Sequence, residues 1–344
     1  MKNKKAIVFF SAGLGDALLL VPLIKQLKKQ GYSVSGLFNS DMPCRELMEH
    51  SGLLDELIEV KGKLRQGFLS LSKMSGYDLA VLNYFALTKK NLLTASLIAK
   101  EIVTNREIKG FKNPGVKIIK VEPLEGVHDA LQNLNLIGVN GFLMQDLSIR
   151  PLQPAAFSLP QKYIALQVSS GNPAVAYKDW PLSHWVDFLK QALSKHQMQF
   201  VLLGNQSNVP FAEKLAAEFG DKIISLAGKT TLTQAMQVLS HCRLFVGLDG
   251  GLMHLAAAFG KPTFTLWGPS NEKLYGYEQF SPALHRCVRL PLTCYPCSAW
   301  ISANHTKASA PELCPDHACL RQLTAHEVFA QFSKYVNLLP AHVW

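Results

Sequence analysis

Ala6-Ile7-Val8-Phe9-Phe10-Ser11-Ala12-Gly13-Leu14-Gly15-Asp16, near the N-terminus, decides the fold. The five apolar residues read as a buried strand. Gly13 and Gly15 read as a tight turn, and Asp16–Gln30 as a helix whose apolar positions recur at helical spacing. The same syntax recurs along the chain. Val34–Phe38 and Leu79–Leu82 read as strands, with a helix through Leu92–Ala99. Strands alternating with helices of this length form βαβ units and a parallel sheet. Near 150–160 the alternation stops at Arg150-Pro151-Leu152-Gln153-Pro154 and Ser158-Leu159-Pro160, a proline-rich linker. It resumes with strands at Tyr163–Val168, Phe200–Leu203, Lys222–Ser225, Leu244–Gly247 and Thr263–Leu266. Helices lie between them at Ser183–His196, Val209–Phe219, Leu232–Ser240 and Leu252–Phe259. From Ser281 to Leu320 the pattern dissolves into a Cys-, His- and Pro-containing loop region, and a final helix runs from Ala325 to Leu338.

The expected organisation is an N-terminal Rossmann-like domain over 1–155 and a second one over 156–324 with a Cys-rich loop at 287–320. A C-terminal helical segment, 325–344, has the option of packing back on the first domain. The 344 residues are 48% hydrophobic and 17% charged, which excludes disorder, collagen and coiled coil. Open α/β sheets bind ligands beyond the carboxyl ends of their strands, so two such domains suggest a two-substrate enzyme.

The net charge is +10, from 35 Lys plus Arg against 25 Asp plus Glu, and both halves are basic. That favours an acidic partner, either a phosphorylated substrate, an anionic membrane face or nucleic acid, unless it is ordinary colloidal charge. No interleaved basic and aromatic motif supports nucleic acid. Lys2, Lys4 and Lys5 ahead of an apolar run look like a signal peptide. However, the run breaks at Gly13, no small-residue cleavage site follows, and no apolar stretch approaches 18 residues. A cytoplasmic protein with at most peripheral membrane contact is expected. Seven cysteines, mostly crowded near the C-terminus, do not make a secreted disulfide framework.

Three places could carry chemistry. Gly13-Leu14-Gly15-Asp16 is neither the dinucleotide fingerprint nor a P-loop. Asp16 either caps the helix or offers a carboxylate as general base. Ser169-Ser170-Gly171-Asn172 with Lys178-Asp179-Trp180-Pro181 combines small hydroxyls, a glycine and a cation. That set suits a pyrophosphate, unless the serines are plain loop residues and Lys178 is solvated. Gly247-Leu248-Asp249-Gly250-Gly251-Leu252-Met253-His254 runs a strand through glycines into a helix start, an anion site. There His254 is a ligand contact or a structural histidine. Separately, Cys294-x2-Cys297 and Cys314-x4-Cys319 have the spacing of metal ligands, with reduced surface thiols as the alternative.

These residues resemble glycosyltransferase family 9, the bacterial heptosyltransferases. The resemblance runs through Gly13-Leu14-Gly15-Asp16 with Pro22, Lys178-x-Trp180-Pro181, Leu203-Gly204 and Leu226-Ala227-Gly228-Lys229-Thr230-Thr231-Leu232. Its most specific part is Gly247 through Ala258, with Pro262 and Gly268-Pro269 following. It covers nearly the whole chain and implies a GT-B fold, two Rossmann-like domains with parallel sheets facing a central cleft. It also implies an inverting, metal-independent transfer from a nucleotide sugar. The donor would be ADP-L-glycero-D-manno-heptose and the acceptor the inner core of lipopolysaccharide, an anionic precursor at the inner membrane. By the same resemblance Asp16 matches the base on the acceptor side, with Gly13 and Gly15. Lys178 contacts donor phosphate. Ser169, Ser170, Gly204, Asp249, Gly250, Gly251, Leu252 and His254 fall on the donor side. Two departures stand out. Gly250 replaces a frequent Thr or Ser, and the stretch from Ser170 to Lys178 is longer than in many members.

The cysteine segment loosely resembles the four-cysteine iron site of autotransporter heptosyltransferases, which glycosylate proteins. No cofactor is expected for catalysis, with a structural zinc or iron as an open option at Cys294, Cys297, Cys314 and Cys319. A family member with another nucleotide sugar or a protein acceptor is the alternative enzyme. A nucleotide-sugar-binding protein with an inactive site is the non-enzyme alternative. Lys61, Lys63, Arg65, Lys89 and Lys90 are the expected membrane-facing cations.

Overall fold

The computed structural model describes residues 4–340 apart from 12, 40–41, 61–75, 112, 114, 155–156, 298–313 and 315. It divides into two compact units, the first ending at Leu147 and the second beginning at Ser148.

The first unit holds six strands, β1 (Lys4–Phe9), β2 (Tyr32–Asn39), β3 (Glu56–Val60), β4 (Tyr77–Leu82), β5 (Ala99–Thr104) and β6 (Lys117–Lys120). They pair in the order β3-β2-β1-β4-β5-β6, all parallel. The second unit repeats the plan with β7 (Ile164–Leu166), β8 (Phe200–Leu202), β9 (Ile223–Ser225), β10 (Leu244–Leu248), β11 (Thr263–Leu266) and β12 (His285–Val288). Their order is β12-β11-β10-β7-β8-β9, again all parallel. Central strands such as β1 and β10 are covered on both faces, which is why they read as unbroken apolar runs. In each sheet the strand order reverses direction between two central neighbours, β1 and β4 or β7 and β10. Loops that leave the carboxyl ends of such neighbours diverge and leave a crevice.

Four expectations change. The helix expected over Asp16–Gln30 is two helices, Leu14–Leu19 and Val21–Lys29, because Pro22 lacks the N–H a continuous helix needs and instead suits a fresh first turn. Gly15 consequently lies inside the first helix, and Gly13 alone makes the turn. The region expected as loop from Ser281 contains β12, which pairs with β11 from Thr263↔His285 to Leu266↔Val288. Its His-Arg-Cys-Val sequence lacks the apolar run that marks the central strands. The domain boundary falls at 147/148 rather than at 155/156.

The terminal helix Ala325–Leu338, expected with the option of packing back on the first domain, belongs to the second unit. Thr324 and Glu327 form its capping box. Phe332, fully buried, wedges between Phe188 and Phe264 at ring distances of 5.3 and 5.2 Å. Trp180 anchors the same core, its indole N–H donating to Leu323 O at 2.8 Å. That bond fixes the chain just after Lys178 and seats Pro181 as N-cap of the helix Leu182–Lys195.

Candidate active site

In the second unit, the loops after β7 and β10 carry most of the candidate donor-side residues. Lys178 Nζ lies 2.6 Å from Asp249 Oδ2, with side chains only 14% and 10% exposed. Burial by itself would raise the Asp249 pKa. The attraction of Lys178 and its hydrogen bond outweigh that and hold the carboxyl below its ordinary value. Asp249 therefore stays ionised beside the Lys178 ammonium.

Gly250 is the N-cap of the helix Gly251–Ala258 and supplies no side-chain cap. The first intrahelical bond there is His254 N–H to Gly250 O at 3.3 Å. The first-turn N–H groups precede that bond and are placed to meet an anion. Gly250, Gly251 and Leu252 keep partial exposure at this edge. His254 sits one turn in, with Nδ1 2.6 Å from the Tyr277 hydroxyl. Burial drives its pKa down to about 4, so the ring is neutral at physiological pH. Burial equally holds the Tyr277 phenol far above its usual pKa. The bond between these two neutral groups fixes the orientation of the His254 ring.

Asp179 holds the loop at Ser169 and Ser170. The Ser169 hydroxyl donates to Asp179 Oδ2 at 2.8 Å, and the Ser170 N–H donates to Asp179 Oδ1 at 2.6 Å. Gly171 closes this loop with φ +72°, a left-handed conformation that favours glycine. Gly204, after β8, leaves room for the buried Asn208. A Cβ on Gly204 would lie 2.5 Å from Asn208 Oδ1. Tyr277, Asp179 and Gln167 were not singled out from sequence. Gln167 ends an apolar strand and has a buried Oε1 with no hydrogen-bond partner among the described residues. A polar residue closing such a strand was the available signal for it, whereas nothing in the sequence marks Tyr277.

In the first unit, Asp16 occupies the third position of the helix Leu14–Leu19, on the loop after β1. Its carboxylate accepts a hydrogen bond from Ser11 Oγ at 3.2 Å. A Cβ on Gly13 would fall 2.6 Å from Asp16 Oδ2, so glycine there leaves room for this carboxylate. Across the switch point lie Asn83, Tyr84 and Phe85, directly after β4. The structure thus groups Lys178, Asp249, Gly250, Gly251 and His254 on one unit, and Asp16 with Gly13 on the other.

A profile described as glycosyltransferase family 9 (heptosyltransferase) matches residues 131–306, just over half of the chain. The chain belongs to glycosyltransferase family 9. Lipooligosaccharide heptosyltransferase 2 of Haemophilus influenzae is 32% identical over 111 residues, which cover 31% of this chain and 30% of that protein. Lipopolysaccharide heptosyltransferase 2 of Escherichia coli is 32% identical over 138 residues, 39% of this chain and 38% of that protein. The matched stretches thus span well under half the length of these curated relatives. The solved structure of E. coli ADP-heptose lps heptosyltransferase II superposes with a TM-score of 0.68 at 21% identity, covering 97% of this chain and 98% of that one. That likeness assigns the family 9 chain the GT-B fold class, two Rossmann-like domains in succession.

All seven cysteines of this family 9 chain are free thiols. Burial, with Cys294 and Cys314 nearby, raises the Cys297 thiol, so these sulfurs sense one another. Cys319 is buried, Cys294 is exposed, and Cys314 Sγ lies 3.6 Å from Asp316 Oδ1. Among the described residues, no three His, Cys, Asp or Glu side chains converge to hold a metal ion. Among the described residues, no helix is long and apolar enough to cross a membrane.

Proposed function

We propose that the protein is an inverting glycosyltransferase that moves heptose from ADP-L-glycero-D-manno-heptose onto the inner core of lipopolysaccharide. The observation that carries this reading is the division of charge between the two switch points. One offers a half-buried carboxylate, Asp16. The other offers Lys178 beside a glycine-capped helix start.

Inversion takes one in-line displacement. The acceptor oxygen forms its bond to the anomeric carbon while the carbon–oxygen bond to the diphosphate breaks. The acceptor proton passes to Asp16, and the bonding pair leaves with ADP. Asp16 is suited as base because its carboxylate, held by Ser11 Oγ, keeps partial exposure on the loop after β1. Lys178, re-pairing from Asp249 towards phosphate, and the N–H groups of Gly251 and Leu252 would stabilise the charge on the departing diphosphate. His254, oriented by Tyr277, would add a neutral ring to the polar lining at this helix start.

The anionic acceptor places the working enzyme in the cytoplasm against the inner membrane. Supporting this, the helix Lys89–Ile98 exposes Leu93 and Leu97, one turn apart, with exposed Lys89 and Lys90 at its start. Lys61, Lys63 and Arg65, expected to share this role, lie outside the described residues. Each basic side chain near an anionic surface contributes about 1 kcal/mol, enough together for loose, salt-sensitive docking.

Incubation with a panel of ADP- and UDP-sugars and heptose-deficient lipopolysaccharide tests the reading. ADP release from ADP-heptose that depends on the acceptor supports it. Release only from a different sugar nucleotide, or only with a protein acceptor, contradicts it.

A further inference from the structure

Asp129 opens the seven-residue helix Asp129–Asn135 of the first unit, behind Asp16. It is only 6% exposed, and its Oδ1 has no hydrogen-bond partner among the described residues. Asn105, 5% exposed, likewise has an Oδ1 without a partner. Asp16, Asp129 and Asn105 line one small cavity of about 10 Å³, together with Asn83, Asn133 and Tyr84. That volume admits about one water or one hydroxyl group.

The surrounding amides make the arrangement rigid. Asn83 Nδ2 donates to Asn133 Oδ1 at 3.2 Å, and Asn133 Nδ2 donates to Leu19 O at 3.0 Å. Leu19 ends the helix that carries Asp16. The helix of Asp129, the turn after β4 and the helix of Asp16 are therefore tied to one another by two hydrogen bonds through a single asparagine.

Among the described residues, no cation lines this cavity. Tyr84 faces it from the turn after β4. The Arg106 guanidinium, next to Asn105, stacks on the Tyr84 ring at 4.5 Å and donates to Leu87 O. Lys25, on the neighbouring helix Val21–Lys29, reaches Gln145 O at 3.3 Å. His128, the N-cap, accepts from Ala130 N–H through Nδ1. A buried carboxyl set near a second carboxylate with no cation between them is costly, and such groups concentrate at working sites.

We propose that Asp129 is a positioning residue for Asp16, its buried carboxyl holding the Asp16 carboxylate in register for an incoming hydroxyl across the small polar cavity that both line. The role rests on Asp16 being the base of the proposed transfer. Burial first, and then the charge of Asp16, push the Asp129 pKa up to about 8. At neutral pH Asp129 is therefore a carboxylic acid, with a proton to donate towards the cavity. Asp16 takes the acceptor proton, and Asp129 keeps its own.

The test uses the full chain and three variants, with acceptor-dependent ADP release from ADP-heptose as the rate and titration calorimetry with ADP as the donor-site control. Asp129→Asn preserves shape and a donor but cannot ionise. It should keep kcat within about 3-fold at pH 7 and lose the decline in kcat expected of the parent as pH rises past about 8. Asp129→Leu should fold and bind ADP normally while kcat falls by about 100-fold, the scale of a misplaced reacting group. Asp16→Asn run in parallel separates the two ideas. If it is inactive while Asp129→Leu is fully active, the positioning role is overturned and the base survives. If Asp16→Asn is itself near normal, the base assignment falls, and the positioning role with it.

Discussion

Replacing Lys178 by methionine keeps the length of the side chain and removes its charge. The consequence can be worked from the 2.6 Å pair with Asp249. With the two side chains only 14% and 10% exposed, removing one partner leaves a buried, uncompensated carboxylate, which costs about 3–5 kcal/mol. For a unit of this size that is a fall in Tm of roughly 6–20 °C. The pH dependence should also invert. In the parent, Asp249 sits below its ordinary 3.8, so its contribution is present above that pH and is lost only as pH falls further. In Lys178→Met the burial penalty loses its main opponent, the Asp249 pKa rises above 3.8, and stability instead declines as pH climbs from 4 towards neutrality. Adding Asp249→Asn should restore most of the loss, because the stranded charge is then gone. Urea titrations of the four proteins at pH 5 and pH 8 give the full cycle. A single-variant loss below about 1 kcal/mol, equal at both pH values, would show that solvent screens the pair and would refute the reasoning.

Further outcomes follow from the same geometry. Gly13→Ala should fold with little change in Tm and lose about 100-fold in kcat, because its methyl would press on Asp16 Oδ2 from 2.6 Å; unchanged kcat would mean that the carboxylate tolerates displacement. Asp129→Asn should stabilise the protein. The raised native pKa of about 8 makes the parent lose stability as pH rises from 3.8 to 8, so the gain should widen over that window to a few kcal/mol, on the order set by the shift. A gain independent of pH in urea titrations would show that Asp129 is not held protonated. His254 and His285 are each pushed down by burial to about 4, so both fold as neutral rings. Their stability is fully present above about 6.5 and falls as pH drops towards 4, on the order of 2 kcal/mol each by pH 5. A stability flat between pH 7 and 5 in the Asp129→Asn background, where the opposing Asp129 effect is absent, would contradict that burial.

The alternation of strands and helices was legible because central strands of a parallel sheet are apolar on both faces. Thr263–Leu266 and Val209–Phe219 were read with the bounds the structure gives. Edge strands were harder to read: Ile223–Ser225 was found, others were missed. His285–Val288 and Lys117–Lys120 carry charged or polar residues and are only partly covered, so their patterns fall below that of a strand. The glycine turns stood out because backbone constraints write themselves into residue type. What could not be read was how polar side chains spend their hydrogen bonds. Ser169 reads as a phosphate ligand until Asp179 is seen to hold it. Asp129 reads as an ordinary helix-start acid until it is found buried beside Asp16's cavity. Tyr277, 23 residues beyond His254, meets it only through the fold.

The central claim is that Asp16 takes the acceptor proton while the second unit holds the nucleotide sugar by itself. Asp16→Asn tests it most directly, with ADP-heptose affinity measured by calorimetry and acceptor-dependent ADP release measured on the same preparation. The account predicts unchanged donor affinity and a turnover lower by at least about 100-fold, the usual scale for loss of a general base. Turnover close to that of the parent, or donor affinity lost together with turnover, would contradict it.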